Sequence, residues 1–295
     1  MSDLKQEFKK VMEERGLSLS AVSRSLGIST AAISQWQSNT YTGNVAKIDA
    51  AVKSFLERHR ERLKTPKKVI KFIPTSISER VFEIGRICHL DEELGVVYGN
   101  AGIGKTEAIK QYARMNSDVI FIESDLGVTA KILFSELHKR VGLDGRGCLH
   151  DLFEDVVSRL KESGRLIIID EAEHLPYRAL ELLRRVYDKA SVGVLLVGMP
   201  RLIANLRGRR GEYAQLYSRV GIAGKLDSFR VEDTQRIVAL VLPSSNGVWK
   251  SFHEESCGNA RRLFKLLQRS VRVAEINEMP VTPEVIREAA KMLII

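Results

Sequence analysis

Apolar residues recur along the chain in two rhythms, and the change of rhythm divides it. Near the N-terminus they fall three and four apart: Leu4, Phe8, Val11 and Met12; Val22 and Leu26; Ile33 and Trp36; Ile48, Val52, Phe55 and Leu56. That spacing lays each set along one side of a helix. Gly16 and Gly27 separate the first helices, and Thr65-Pro66 stops the last. From residue 78 onward the pattern becomes short unbroken apolar runs alternating with helical stretches. The runs lie at 94–98, 119–122, 166–169 and 192–198, with a weaker one at 220–223. Helical patterns lie at 78–90, 107–113, 130–141, 152–160 and 176–190. Runs apolar on every position predict strands buried on both faces, hence a parallel sheet between layers of helices. After Val231 the strand signal stops. Four helical patterns, near 232–242, 248–256, 260–276 and 283–293, predict a small all-helical lid. The expected organisation is an all-α domain over 1–58, a basic linker over 59–76, an α/β domain over 77–228 and a helical subdomain over 229–295.

Composition narrows the setting. The 295 residues are 44% hydrophobic and 28% charged, ordinary for a folded domain. No apolar run approaches the roughly 20 residues that cross a bilayer, so no membrane partner is expected. The opening Met1-Ser2-Asp3-Leu4-Lys5 has no apolar signal core. The three cysteines, Cys88, Cys148 and Cys257, form no metal pattern and point to a reducing cytoplasm. Charge changes the picture more. Residues 1–72 carry 14 Lys/Arg against 7 Asp/Glu, a net of +7 out of the chain's +9. A cationic N-terminal quarter points to a polyanion, and nucleic acid is the first candidate. Residues 19–36 look like a helix-turn-helix. Ser23 is small where two helices approach, Gly27 suits the turn, and Ser29 or Thr30 caps the second helix. Thr30, Ser34 and Gln35 are then expected to face outward as short polar groups for phosphates or base edges. Lys67 and Lys68 in the linker are candidates for the DNA backbone.

The densest chemistry follows the first strand. Gly99, Asn100, Ala101, Gly102, Ile103, Gly104, Lys105 and Thr106 spell G-x-x-x-x-G-K-T, and Glu107 opens the helix behind them. Glycines let backbone N–H groups converge on phosphate oxygens, and the helix N-terminus adds its positive end. Lys105 supplies a point charge to the outer phosphates, and the Thr106 hydroxyl suits Mg²⁺. The third run ends in Asp170-Glu171. An apolar strand closing on two carboxylates after a phosphate loop fits a nucleoside triphosphate hydrolase. Asp170 would share the Mg²⁺, and Glu171 would orient and deprotonate the attacking water. The cofactors expected are ATP and Mg²⁺.

These two motifs and the helical tail resemble an AAA+ ATPase over about residues 78–293. The resemblance implies an α/β P-loop fold with a five-stranded parallel sheet, order 5-1-4-3-2, and a C-terminal helical lid. More narrowly, a helix-turn-helix ahead of a compact AAA+ module resembles the phage Mu transposition protein B family. Residues 99–108, 168–175 and 216–219 carry that likeness. It implies a cytoplasmic protein of a bacterial host cell that binds double-stranded DNA in an ATP-dependent, largely sequence-independent way. Such a protein would oligomerise on DNA as a helical filament and deliver it to a DDE-type transposase that it activates, with hydrolysis promoting release. Further residues carry over by position. Arg219 stands where an arginine finger would reach a neighbouring subunit's γ-phosphate. Arg261, in Gly258-Asn259-Ala260-Arg261, stands where a lid arginine would touch phosphate, with Arg262 as rival. Thr129 and Lys131 match a site facing the filament axis, and residues 207–211 are a second basic candidate. One position departs from the wider pattern. Met199 ends the fourth strand where a polar side chain is common, which points to slow hydrolysis. Two other readings stay open: a helicase loader, and a transcriptional regulator whose ATPase gates operator binding.

Overall fold

The computed structural model describes residues 3–64, 72–208, 213–243 and 247–293. The chain forms two compact units, Met1–Val69 and Ile70–Ile295. Lys67 and Lys68, and Arg209 to Gly211 of the second basic candidate, lie outside the described residues.

The first unit is four helices: α1 (Asp3–Glu14), α2 (Leu19–Leu26), α3 (Thr30–Gln37) and α4 (Val45–Lys64). Their apolar faces meet in one small core of Phe8, Val22, Ile33, Trp36, Val52 and Phe55, among others. Phe8 packs edge-on against both Trp36 and Phe55, at 5.7 and 5.9 Å. Two polar side chains at the rim are paired, as burial favours. Trp36 Nε1 donates to Asp49 Oδ1 at 2.8 Å, and the buried Lys5 ammonium donates to the Trp36 carbonyl and to Asn39 Oδ1. Ser18 and Ser29 cap α2 and α3 through their hydroxyls. The Ser23 hydroxyl donates to the Ile28 carbonyl, tying the turn to the first helix of the pair. α4 continues to Lys64 and ends just before Thr65-Pro66, so the helix runs into the basic stretch that begins at residue 59. Glu, Arg, Leu and Lys favour helix, and Thr65-Pro66 comes only later. His59 is buried, and Arg60 grips Glu7 of α1 with both carboxylate oxygens, at 2.6 and 2.7 Å.

The second unit opens with α5 (Ser76–Leu90), started by a Thr75/Ser78 capping box, and β1 (Leu94–Gly99). Then come α6 (Lys105–Met115), β2 (Val119–Glu123), α7 (Ala130–Arg140), α8 (Leu149–Leu160) and β3 (Leu166–Asp170). A 3-10 turn at Ala172–His174 leads into α9 (Tyr177–Ala190) and β4 (Gly193–Gly198). Next are α10 (Arg201–Arg207), α11 (Ala214–Tyr217) and β5 (Val220–Leu226). The chain finishes with α12 (Val231–Val241), α13 (Trp249–Ser256), α14 (Ala260–Ile276) and α15 (Pro283–Lys291). The sheet runs β2-β3-β4-β1-β5, parallel throughout, which is the expected order read from its other edge.

Alternation within the strands builds two cores, one on each face. Ile167, Ile169, Val194 and Leu196 pack with α7, α8 and α9, while Leu166, Ile168, Leu195 and Val197 pack with α5, α6 and the lid. Cys88 is enclosed in the second core, where burial pushes its thiol up to about 12. β5 is an edge strand that alternates exposed and inward residues, so its apolar run is weak but its length is not. Among the described residues no helix is long and apolar enough to cross a membrane.

Candidate nucleotide site

β1 delivers the chain to the phosphate loop between the central strands. Its last residues, Tyr98 and Gly99, stand beside Gly198 of β4 and Leu226 of β5. Gly102 and Gly104 then take φ of +80° and +99°, the left-handed region that only glycine enters freely. Those two residues turn the backbone so that α6 begins at Lys105 with Gly104 as its N-cap. The buried Lys105 ammonium donates to the Gly99 and Asn100 carbonyls, both at 2.8 Å, so the loop is closed on its own lysine. Burial lowers the Lys105 pKa, and the carboxylates of Asp170, Glu173 and Glu171 oppose that shift in that order.

β3 pairs with β4 and β2, which brings Asp170 up beside α6. The Thr106 hydroxyl donates to Asp170 Oδ2 at 2.7 Å, and Asp170 Oδ1 accepts the Glu171 N–H at 3.0 Å. Asp170 is buried, and that desolvation raises its pKa, with the Thr106 hydrogen bond pulling the other way. Two hard oxygens from residues 64 apart in sequence thus lie side by side. A hydroxyl and one carboxylate fit Mg²⁺, which takes one or two protein oxygens and completes its octahedron with waters and phosphate. Among the described residues no group of three or more His, Cys, Asp or Glu competes as a metal centre. Glu171 turns out of the strand with φ +51°, and its carboxylate is half exposed, 3.7 Å from His174 Nε2. Glu107 lies in the first turn of α6.

The lid meets the loop directly. The Arg261 N–H donates to the Gly102 carbonyl and Asn259 Nδ2 to the Ala101 carbonyl, both at 2.9 Å. Asn259 also caps α14 by accepting from the Arg262 N–H. The Arg261 side chain is exposed, and its charge is among those felt by Lys105. Arg262 instead turns back to the Glu255 carbonyl at 2.6 Å. Asn259 stands in the Gly258–Arg261 motif without a role assigned to it from the sequence. Its signal was a cap-type side chain just ahead of a strongly amphipathic helix.

Arg219 stands apart from this cluster. Val220 pairs with Leu94, the first residue of β1, whereas the loop follows the last. Five residues of strand put Arg219 about 16 Å from its own phosphate loop along the sheet. There its Nε contacts Asp188 Oδ1 at 3.2 Å, and Asp188 is held from its other oxygen by Arg184, itself paired to Glu181 at 2.6 Å. Met199 is 37% exposed at the end of β4 and offers no hydrogen-bond donor. Thr129 caps α7 and is exposed, as is Lys131 in the helix's first turn, and Leu126 of the preceding loop is 85% exposed. On α3, Thr30, Ser34 and Gln35 are all exposed.

Comparison with known proteins agrees with this architecture. Residues 89–206 match the family model described as AAA domain. The chain is 28% identical over 240 residues to the Mu-like prophage FluMu DNA transposition protein B of Haemophilus influenzae, covering 78% of this chain and 82% of that one. It is 27% identical over 241 residues to the ATP-dependent target DNA activator B of Escherichia phage Mu, covering 80% and 77%. Among solved structures, the ORC2 protein of Aeropyrum pernix in its ADP form superimposes with a TM-score of 0.59 at 18% identity, over 78% of this chain and 72% of that one, which shows a shared fold. A parallel five-stranded sheet, a G-x-x-x-x-G-K-T loop facing an Asp-Glu strand end, and the AAA domain match agree: the chain has the AAA+ P-loop NTPase fold, and its sequence is similar to the phage Mu transposition protein B relatives.

Proposed function

We propose that this ATPase is an ATP-dependent, largely sequence-independent DNA-binding protein that assembles on target duplex. It presents that duplex to a DDE-type transposase and activates it. Relatives named for DNA transposition and target DNA activation support the reading. The observation that carries it is the separation of Arg219 from its own phosphate loop. An arginine at the opposite end of the sheet serves a γ-phosphate only in an adjacent copy, so ATP would bind subunits to one another.

In this cycle the loop N–H groups and Lys105 hold the phosphates, Lys105 exchanging its two carbonyl partners for phosphate oxygens. Thr106 and Asp170 would hold Mg²⁺, which neutralises charge on the phosphates when bound. Glu171 accepts a proton from the attacking water, and Arg261 reaches the phosphates from the lid. With Met199 at the end of β4, turnover is slow, and the nucleotide acts as a timer whose hydrolysis releases DNA. Thr30, Ser34 and Gln35 of the first unit, with Lys67 and Lys68, and Thr129 and Lys131 of the second, contact DNA. The setting is a bacterial cytoplasm.

Electron microscopy tests this directly. Wild-type protein with ATP and random-sequence duplex is expected to form helical filaments, and with ADP it is not. A discrete footprint on one palindrome without filaments would replace this reading by that of a gated operator-binding regulator. Stimulated helicase loading with no effect on strand transfer would point to a loader. Salt supplies a second prediction. If about six phosphates are neutralised, DNA affinity falls about 10³-fold between 50 and 200 mM salt. An affinity flat across that range is incompatible with backbone-dominated binding.

A further inference from the structure

Asp170 and Glu171 are not the only carboxylates at the end of β3. Glu173, in the 3-10 turn just beyond, is only 8% exposed, and its Oε2 accepts no hydrogen bond among the described residues. A buried carboxylate oxygen without a partner is costly, and a fold keeps one where something else repays the cost. Its placement is specific. Glu173 Oε2 lies against Gly198 so closely that a methyl group there would collide with it. Gly198 is the last residue of β4 and pairs with Tyr98, the residue before the phosphate loop. The turn is anchored behind, where Asn205 Nδ2 donates to the Glu173 carbonyl at 2.9 Å. Glu173 therefore reaches, from the turn after β3, the end of β4 where Met199 offers nothing polar.

An ionised carboxylate has no proton for a γ-phosphate oxygen. Its useful partner at this place is an O–H, and the hydrolytic reaction brings one. We propose that Glu173 is a positioning residue that accepts the second hydrogen bond of the attacking water, replacing the polar group absent at Met199. Water then has one hydrogen on Glu171 and one on Glu173, with a lone pair directed at the γ-phosphorus. The new bond joins that oxygen to phosphorus, and the bond to the oxygen leaving with ADP breaks. The proton passes to Glu171, while Glu173 keeps its hydrogen bond to the reacting oxygen. Glu173 also lies close enough to Lys105 for its charge to be felt there more strongly than that of Glu171. The inference rests on the hydrolytic reading of the site.

The test is single-turnover ATP hydrolysis by full-length protein, with ATP affinity measured separately by fluorescent-analogue competition. Glu173→Ala is expected to slow the chemical step at least tenfold while ATP affinity stays within threefold. The double change Glu173→Ala with Met199→Asn is expected to recover most of that loss, since asparagine restores a polar group at the end of β4. A rate within twofold of wild type for Glu173→Ala overturns the inference, as does equal loss of rate and affinity, or a double variant no faster than the single. Glu171→Gln separates the two levels. If it hydrolyses like wild type, the hydrolytic reading itself fails; if it is inactive while Glu173→Ala is normal, only the role of Glu173 fails.

Discussion

Lys105→Ala is expected to weaken ATP binding about a hundredfold, and ATP-dependent DNA binding with it. The side chain makes two charge-assisted hydrogen bonds that would pass to phosphate oxygens, together worth about 3 kcal/mol. Titration with a fluorescent ATP analogue measures the first effect, and filter binding with and without ATP measures the second. Lys105 also donates to its own loop's carbonyls, so the variant's thermal midpoint without ATP is the necessary control. If ATP affinity stays within threefold of wild type, the loop is not the triphosphate site.

Arg219→Ala carries the other large effect, and it separates binding from turnover. The variant is expected to bind ATP like wild type, because Arg219 lies at the far end of the sheet from its own loop. Its DNA-stimulated hydrolysis is expected to fall about 10³-fold, the scale of a lost arginine finger. Filaments should be absent by electron microscopy. Loss of the exposed contact to Asp188 does not explain such a change, since surface ion pairs contribute about 0–1 kcal/mol. Normal assembly and normal turnover by Arg219→Ala would show that the site is complete within one subunit.

What could be read from the sequence was what local pattern controls. Leu166 to Ile169 are fully buried on both sides, so an unbroken apolar run was a true image of a central strand. The glycines of the phosphate loop mark backbone that only they adopt freely, and Thr106 and Asp170 do meet. Local pattern failed where partners are distant. α10 and α11, with 7 and 4 residues, are too short to show a period and exist by packing Leu202, Leu206 and Leu216 into the sheet's core. Glu173 reads as one more solvated glutamate until Gly198, 25 positions later, is seen to make room for it. Arg219 gave no sign of Asp188 because α9 and β5 meet only through the fold.

The two hydrogen bonds that Asn259 and Arg261 donate to the Ala101 and Gly102 carbonyls have a mechanical consequence. They fasten the root of α14 to the loop, whereas the rest of that helix reaches away for about 25 Å. A rod held at one end turns small rotations into large displacements: tilting the root by about 5° carries the far end about 2 Å. In the proposed cycle, a change at the phosphates too slight to disturb the sheet would therefore be amplified along α14 and read on the outside of the subunit.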